Sequence, residues 1–163
     1  MISLTDDMRR LVTEQRLGFV ASVSPAGSPN VSPKGSLAVW DDQHLMFADI
    51  ESPNTIRNLS QNPRTEVNVV DPFTRKGYRF SGIAKILRSG GDYWKAIEHY
   101  KTEGADIRRV RAIVIIQVDH AAPLVSPVYL TGLNEPEVRR LWKEFHSKSQ
   151  NKMVVDLIPP SDF

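Results

Sequence analysis

The chain contains no cysteine. Disulfides, thiolate catalysis, zinc–thiolate sites and iron–sulfur clusters are therefore excluded. Histidine is scarce as well, and His44, His99, His120 and His146 show no metal-ligand spacing, so no metal site is expected. No apolar run approaches membrane-spanning length, and the opening "MISLTDDMRR" lacks the apolar core of a signal peptide. A cytoplasmic protein without a membrane partner is the expectation. Charge of one sign is also missing: 21 Lys and Arg stand against 19 Asp and Glu, a net of +2. That balance argues against nucleic acid as a partner, despite a pI near 9.0. Arg108, Arg109 and Arg111 form one local basic cluster, which suits a solvated strand entrance at least as well as a ligand. Internal repeats, low-complexity tracts and a strand–glycine-loop–helix unit of dinucleotide type are all absent.

What is present reads as one domain over residues 1–163, long enough to bury a core. "SLTDDMRRLVTEQ" predicts a helix with Thr5 as N-cap and acids in its first turn. "LGFVASVSPAGSPNVSPKGSLAVW" reads as two strands around the turn residues of "SPAGSP", with Leu17, Phe19, Ala21 and Val23 on one face of the first. "HLMFADI", "RTEVNVVD", "YRFSGIAKILRSG" and "RVRAIVIIQVD" supply four more strands, the last the most apolar and expected to be central. A helix over "GDYWKAIEHYKTEG" would carry Trp94, Ile97 and Tyr100 on one stripe. "HAAPLVSPVYLTGLNE" reads as irregular. A final helix over about residues 134–148, capped at Asn134, would bury Val138, Leu141, Trp142 and Phe145, leaving a tail over 149–163. About six strands linked mostly by short turns, with helices at the ends, imply an antiparallel barrel.

Two stretches carry chemistry. In "ESPNTIRNLSQNPR", Ser52 fits an N-cap, Pro53 fits the first helical position and Pro63 stops the run. Asn54 and Thr55 then fall where backbone N–H groups lack intrahelical partners, and an anion could sit there on the positive end of the helix dipole. A capped helix that binds nothing is the commoner outcome. In "VSPKGSLAV", Ser32, Lys34 and Ser36 recur at period two and face one side. Pro33 and Gly35 mark that strand as an edge or a bulge, where a planar ligand can approach the backbone. A solvated strand face explains the same pattern. Hairpin connectivity sets the two stretches side by side, so that a lysine lies next to an anion-competent helix start.

The run from "VSPKGSLAVW" through "FADIESPNTIRNLSQNPR" to "GYRFSGIAKI" resembles the pyridoxamine 5'-phosphate oxidase-like family of FMN-binding split barrels. The resemblance implies a mainly β, α+β fold, an antiparallel split β-barrel with flanking helices. It implies that Ser32, Pro33, Lys34, Gly35 and Ser36 lie along the flavin, and that Phe47, Ala48 and Asp49 end a strand passing the ring. It implies that the helix start with Ser52, Asn54 and Thr55 takes the FMN phosphate, with Asn58 bracing the turn. The family commonly has Arg-Lys where this chain has Asn54 and Thr55, so the expectation is that Lys34 or Arg57 supplies the missing charge or that FMN binds more weakly. Tyr78 and Arg79 match a strand near the flavin of the second protomer, which implies a homodimer with FMN at the subunit interface.

The Arg-bearing C-terminal motif with which vitamin-oxidising members grip their substrate is absent from "NKMVVDLIPPSDF". The expectation is thus an FMN-dependent oxidoreductase acting on an unidentified small molecule, not the vitamin B6 enzyme. No residue declares itself a catalytic acid or base. The rival expectations are a non-catalytic flavin electron carrier or redox sensor, and a deazaflavin- or haem-binding relative.

Overall fold

The computed structural model describes residues 2–157, with side chains through residue 148. The chain forms α1 (Asp6–Gln15), β1 (Gly18–Val23), β2 (Pro29–Lys34), β3 (Ala38–Val39), β4 (His44–Asp49) and α2 (Pro53–Gln61). β5 (Arg64–Asp71), β6 (Lys76–Leu87), α3 (Gly91–Thr102), β7 (Ala112–Val125) and α4 (Glu135–Leu157) follow. The strands make one sheet in the order β2-β1-β5-β6-β7-β4-β3. This is the curled antiparallel sheet of a split barrel, in an α+β chain. It has seven strands where about six were expected. The difference arises at Gly35 and Ser36, which turn the chain and cut one expected strand into β2 and the two-residue β3.

That turn also corrects the expected pairing. β2 hydrogen-bonds to β1 at one end of the sheet, and only β3 pairs with β4, through Ala38–Met46 and Val39–Leu45. Pro33 is tolerated because β2 is an edge strand, where a missing N–H costs no ladder bond.

By internal contacts the chain forms two units, one made of the residues up to Val70 and Gly77–Pro123, the other of Asp71–Lys76 and the residues from Leu124 on. In the first, Thr5 caps α1 by accepting from the N–H of Met8 at 3.3 Å, and Arg16 ends that helix in the left-handed conformation. Alternation sends Val20, Val67, Val69 and Phe80 inward to meet Leu45, Phe47, Val114 and Ile116. The opposite faces of β4 and β7 offer Met46, Ala48, Ile113 and Ile115 to Ala96, Ile97 and Tyr100 of α3. With both faces covered, β7 is buried without interruption from Ala112 to Ile116, which is why its sequence is apolar without alternation. The stripe of α3 runs through Ala96, Ile97 and Tyr100. Trp94 lies off it, 63% exposed, so the expected stripe is wrong at that residue.

In the second unit, Asp71 accepts from the N–H groups of Phe73 and Thr74 and pairs with Arg139 at 2.9 Å. Tyr129 donates to the carbonyl of Thr74, and the Arg75 guanidinium lies 3.9 Å from the centre of the Trp142 ring. The segment expected to be irregular is structured. β7 continues to Val125, and a short 3₁₀ turn spans Pro127–Thr131, capped by Ser126. Asn134 caps α4 as expected, in a reciprocal exchange with Glu137. The helix then runs on to Leu157, through much of the expected tail. Residues 158–163 lie outside the described residues. Val138 is buried, but Leu141 and Phe145 are exposed, so the expected buried stripe holds only in part.

Candidate functional site

The chemistry collects where the end of β2, the end of β4 and the start of α2 meet. Lys34, the last residue of β2, is only 4% exposed. Its ammonium donates to the hydroxyl of Ser32 and, at 2.6 Å, to that of Ser52, and it stands 5.4 Å from the centre of the Phe47 ring. No carboxylate lies within ion-pair distance of it among the described residues. Burial pushes this ammonium below the ordinary lysine range, and the charge of Asp49 pulls in the opposite direction. Asp49 is itself buried and accepts from the N–H of Ser52 at 3.0 Å, which fixes the entry to α2.

Ser52 occupies the N-cap position, yet its side chain makes no cap hydrogen bond. Its hydroxyl is turned to Lys34. The backbone N–H groups of Asn54 and Thr55 consequently have no acceptor among the described residues. They stand at the positive end of a nine-residue helix that has no acidic residue in its first turn. Asn54 is exposed and accepts from Arg57 at 2.7 Å. That sets one exposed guanidinium beside the helix start.

A second polar cluster supports the first from inside. Thr55 is 1% exposed, and its hydroxyl accepts from Asn30 at 3.2 Å. Asn30 also donates to Ser22, and so does Asn58. The Asn58 amide oxygen is left buried without a donor. Sequence reasoning missed Ser22 and Asn30. Asn30 was legible, since it continues the period-two face of Ser32 and Lys34 by one step. Ser22 was not, because it belongs to an apolar strand whose inward face is set by pairing with β2 and β5.

Ser36 lies in the turn after β2 and ties it to β4, donating to the carbonyl of Ala48 and accepting from its N–H. Tyr100, also missed, donates to the Ser36 carbonyl at 2.7 Å, and burial pushes its phenol up, so it stays a donor. A cleft of about 280 Å³ opens beside this turn, with Gly35, Ser36, His99 and Tyr100 in its wall. Ala48 meets this turn through Ser36, Phe47 points into the core beneath Lys34, and Pro33 is exposed on the opposite face of β2.

Tyr78 and Arg79 do not join this cluster within one chain. Tyr78 donates to Asp7 and packs on Phe80, while Arg79 faces the other way and donates to Asn68 beside Glu66. No group of three or more metal-ligating residues is found among the described residues, and no helix among them is long and apolar enough to cross a membrane.

What this arrangement can do is hold a small anion: a buried cation, two hydroxyls and two free backbone donors converge at one helix start. The family model for pyridoxamine 5'-phosphate oxidase matches residues 4–122. Among solved structures, HupZ from Group A Streptococcus is 32% identical over 76% of this chain and 95% of its own, with a TM-score of 0.68. An FMN-binding protein from Syntrophomonas wolfei subsp. wolfei is 12% identical, covering 73% of this chain and 84% of its own at a TM-score of 0.62. HutZ, the haem storage protein from Vibrio cholerae, is 18% identical over 76% and 95%, at 0.60. The last two show a shared fold alone. No curated protein matches the chain.

Proposed function

Because the chain belongs to the pyridoxamine 5'-phosphate oxidase family, we propose that it binds FMN and acts as a flavin-dependent oxidoreductase on an unidentified small molecule. The observation that carries this reading is the meeting of Lys34 and Ser52 beside the open N–H groups of Asn54 and Thr55. The flavin, when bound, supplies the hydride or electron chemistry. The protein's own residues supply position and charge. The first turn of α2 and the hydroxyls of Ser32 and Ser52 suit the phosphate, and charge-assisted bonds of this kind contribute about 1.5–3 kcal/mol each. The turn at Gly35 and Ser36 suits the ring, since it presents backbone next to a cleft.

The same reading includes a homodimer in the cytoplasm, with FMN at the subunit interface. Support for the dimer comes from β1 and β2, where Phe19, Val23 and Val31 are between 39% and 62% exposed on one sheet face, with Leu17 exposed just before β1. A second copy of the chain is the occupant that would cover them, bringing Tyr78 and Arg79 toward the first copy's cofactor. A second reading, a haem-binding member, is motivated by the likeness to HutZ.

The test is an absorbance spectrum of the purified protein, followed by calorimetry with FMN and riboflavin. A flavin spectrum and a clear preference for FMN are expected. Equal binding of the two flavins would remove the phosphate site, and a haem Soret band in their place would establish the second reading. Turnover of NAD(P)H with artificial acceptors then separates an enzyme from an electron carrier.

A further inference from the structure

We propose that the anion site around Lys34 is coupled to a proton: a phosphate group enters together with full protonation of Lys34, so its retention depends on pH. This rests on the reading of α2 as the anion-binding helix start, but it concerns the charge state of the site and not the identity of the cofactor.

The geometry carries the proposal. Lys34 is buried, and its two hydrogen bonds go to neutral hydroxyls, Ser32 on its own strand and Ser52 at the start of α2. An ammonium has three N–H donors, so one remains without an acceptor among the described residues. From β4 it meets the face of Phe47 and the buried Asp49, the one charged group that acts on it appreciably. The Asp49 carboxylate is already committed to the N–H of Ser52. From α2 the nearest cationic side chain in the sequence, Arg57, is exposed and turned to Asn54. Lys34 therefore has burial against its charge and only one carboxylate, outside ion-pair distance, for it, and its ammonium is depressed accordingly.

A phosphate monoester above its second ionisation, near pH 6, brings a charge approaching −2 and three acceptor oxygens. Placed at the first turn of α2, it supplies the acceptor and the countercharge that Lys34 lacks. Binding must then raise the lysine's proton affinity, and by linkage the protein takes up a proton wherever Lys34 is partly neutral beforehand. The ligand shares its chemistry with free phosphate, so both are used as probes.

The experiment is NMR titration of the full chain labelled at the lysine side chains, alone, with inorganic phosphate and with FMN. In the free protein the Lys34 signal is expected to titrate at lower pH than the exposed lysines. Saturating phosphate should move its midpoint up by at least one pH unit. Between the two midpoints phosphate affinity should fall about tenfold per pH unit. Lys34→Met should lose at least tenfold in phosphate affinity and show none of this dependence. Lys34 titrating with the exposed lysines, or unmoved by phosphate, would overturn the proposal even if FMN binds. A Lys34 that responds to phosphate in a protein that ignores FMN would uphold it and sink only the flavin reading. The wild-type titration stands by itself if the methionine variant does not fold.

Discussion

The ammonium of Lys34 donates to the hydroxyl of Ser52 at 2.6 Å, joining the end of one edge strand to the N-cap residue of α2. The contact has two consequences. It withdraws the Ser52 side chain from capping, which leaves the first-turn N–H groups open, and it stations a cation at the same place. A helix built only for stability would use that serine the other way, at a gain of about 1 kcal/mol. The proposed anion site gives that sacrifice a reason.

Lys34 should accordingly be a stability burden in the ligand-free protein. Its folded-state proton affinity lies below that of the unfolded chain, so between the two pKa values the unfolded state holds more protons. Ligand-free stability should then rise with pH on approach to about pH 10.4, the unperturbed lysine value. Lys34→Met should be at least as stable as wild type at neutral pH and should lack this rise. Denaturant midpoints from pH 7 to 10 measure it, and a marked loss of stability in Lys34→Met would contradict the assignment.

Asn54→Asp separates binding from folding. A carboxylate at the second position of α2 meets the helix dipole and the Arg57 guanidinium already beside that side chain, a gain of about 0.3–1 kcal/mol. The same charge would face an incoming phosphate. The melting temperature should hold or rise while FMN affinity falls at least tenfold. Unchanged affinity by calorimetry would move the phosphate away from α2.

Much of this site was legible in the sequence because its signals are local. Pro53 and Pro63 bound α2, and the alternation of Ser32 with Lys34 places both on one face, so each element could be read from its own residues. What could not be read was the partner of each. Ser36 falls in a turn, which moved the strand pairing from β2 to β3, and the contact between Lys34 and Ser52 arises from curvature of the sheet, not from a ladder. The exposure of Leu17, Phe19 and Val23 was hidden for a related reason. Period two says that they share a face, but which face is covered depends on neighbours far along the chain.

Gly82 shows such a neighbour. A Cβ there would run into the backbone carbonyl of Gln117, and one at Gly77 into that of Val69. Both glycines let β6 press against its neighbours in the sheet, and backbone has no rotamer with which to yield. Gly82→Ala should cost about 1–3 kcal/mol in urea unfolding, the range for overpacking. An exposed control such as Gly91→Ala, which meets nothing within 4 Å, should be close to neutral or slightly stabilising.

The turn at Asp71 predicts acid sensitivity. Burial acts to raise this carboxyl, but the N–H groups of Phe73 and Thr74 and the Arg139 guanidinium outweigh it and hold the group below the usual carboxylate range. The unfolded chain therefore binds the proton first, and the stabilisation present above about pH 4 is lost as pH falls through the folded-state value. Asp71→Asn should lower stability at pH 7 and converge on wild type in melts near pH 3. A constant gap between the two at all pH values would show that the carboxylate charge plays no part.

The last prediction concerns the apolar face. β2 pairs with β1 so that Phe19 stands opposite Pro33, Ala21 opposite Val31 and Val23 opposite Pro29. Val31 is 62% exposed and Phe19 48%, so an apolar patch spans two strands. Pro29 and Pro33 lack N–H groups, so the edge of β2 is a poor template for another strand. A partner must meet the face instead. The opposite face of this strand carries Lys34 of the proposed anion site. The wild type should sediment as a dimer, and Val31→Glu should weaken association at least tenfold by burying an unpaired carboxylate. Arg79→Glu should weaken it too if Arg79 meets the partner, with repulsion from Glu66 as a local cost. Because a ligand held between two chains stabilises their association, FMN should tighten the wild-type dimer and bind more weakly to both variants. Melting each variant without FMN checks that the fold is intact. A folded Val31→Glu monomer that binds FMN as tightly as wild type would refute the shared site.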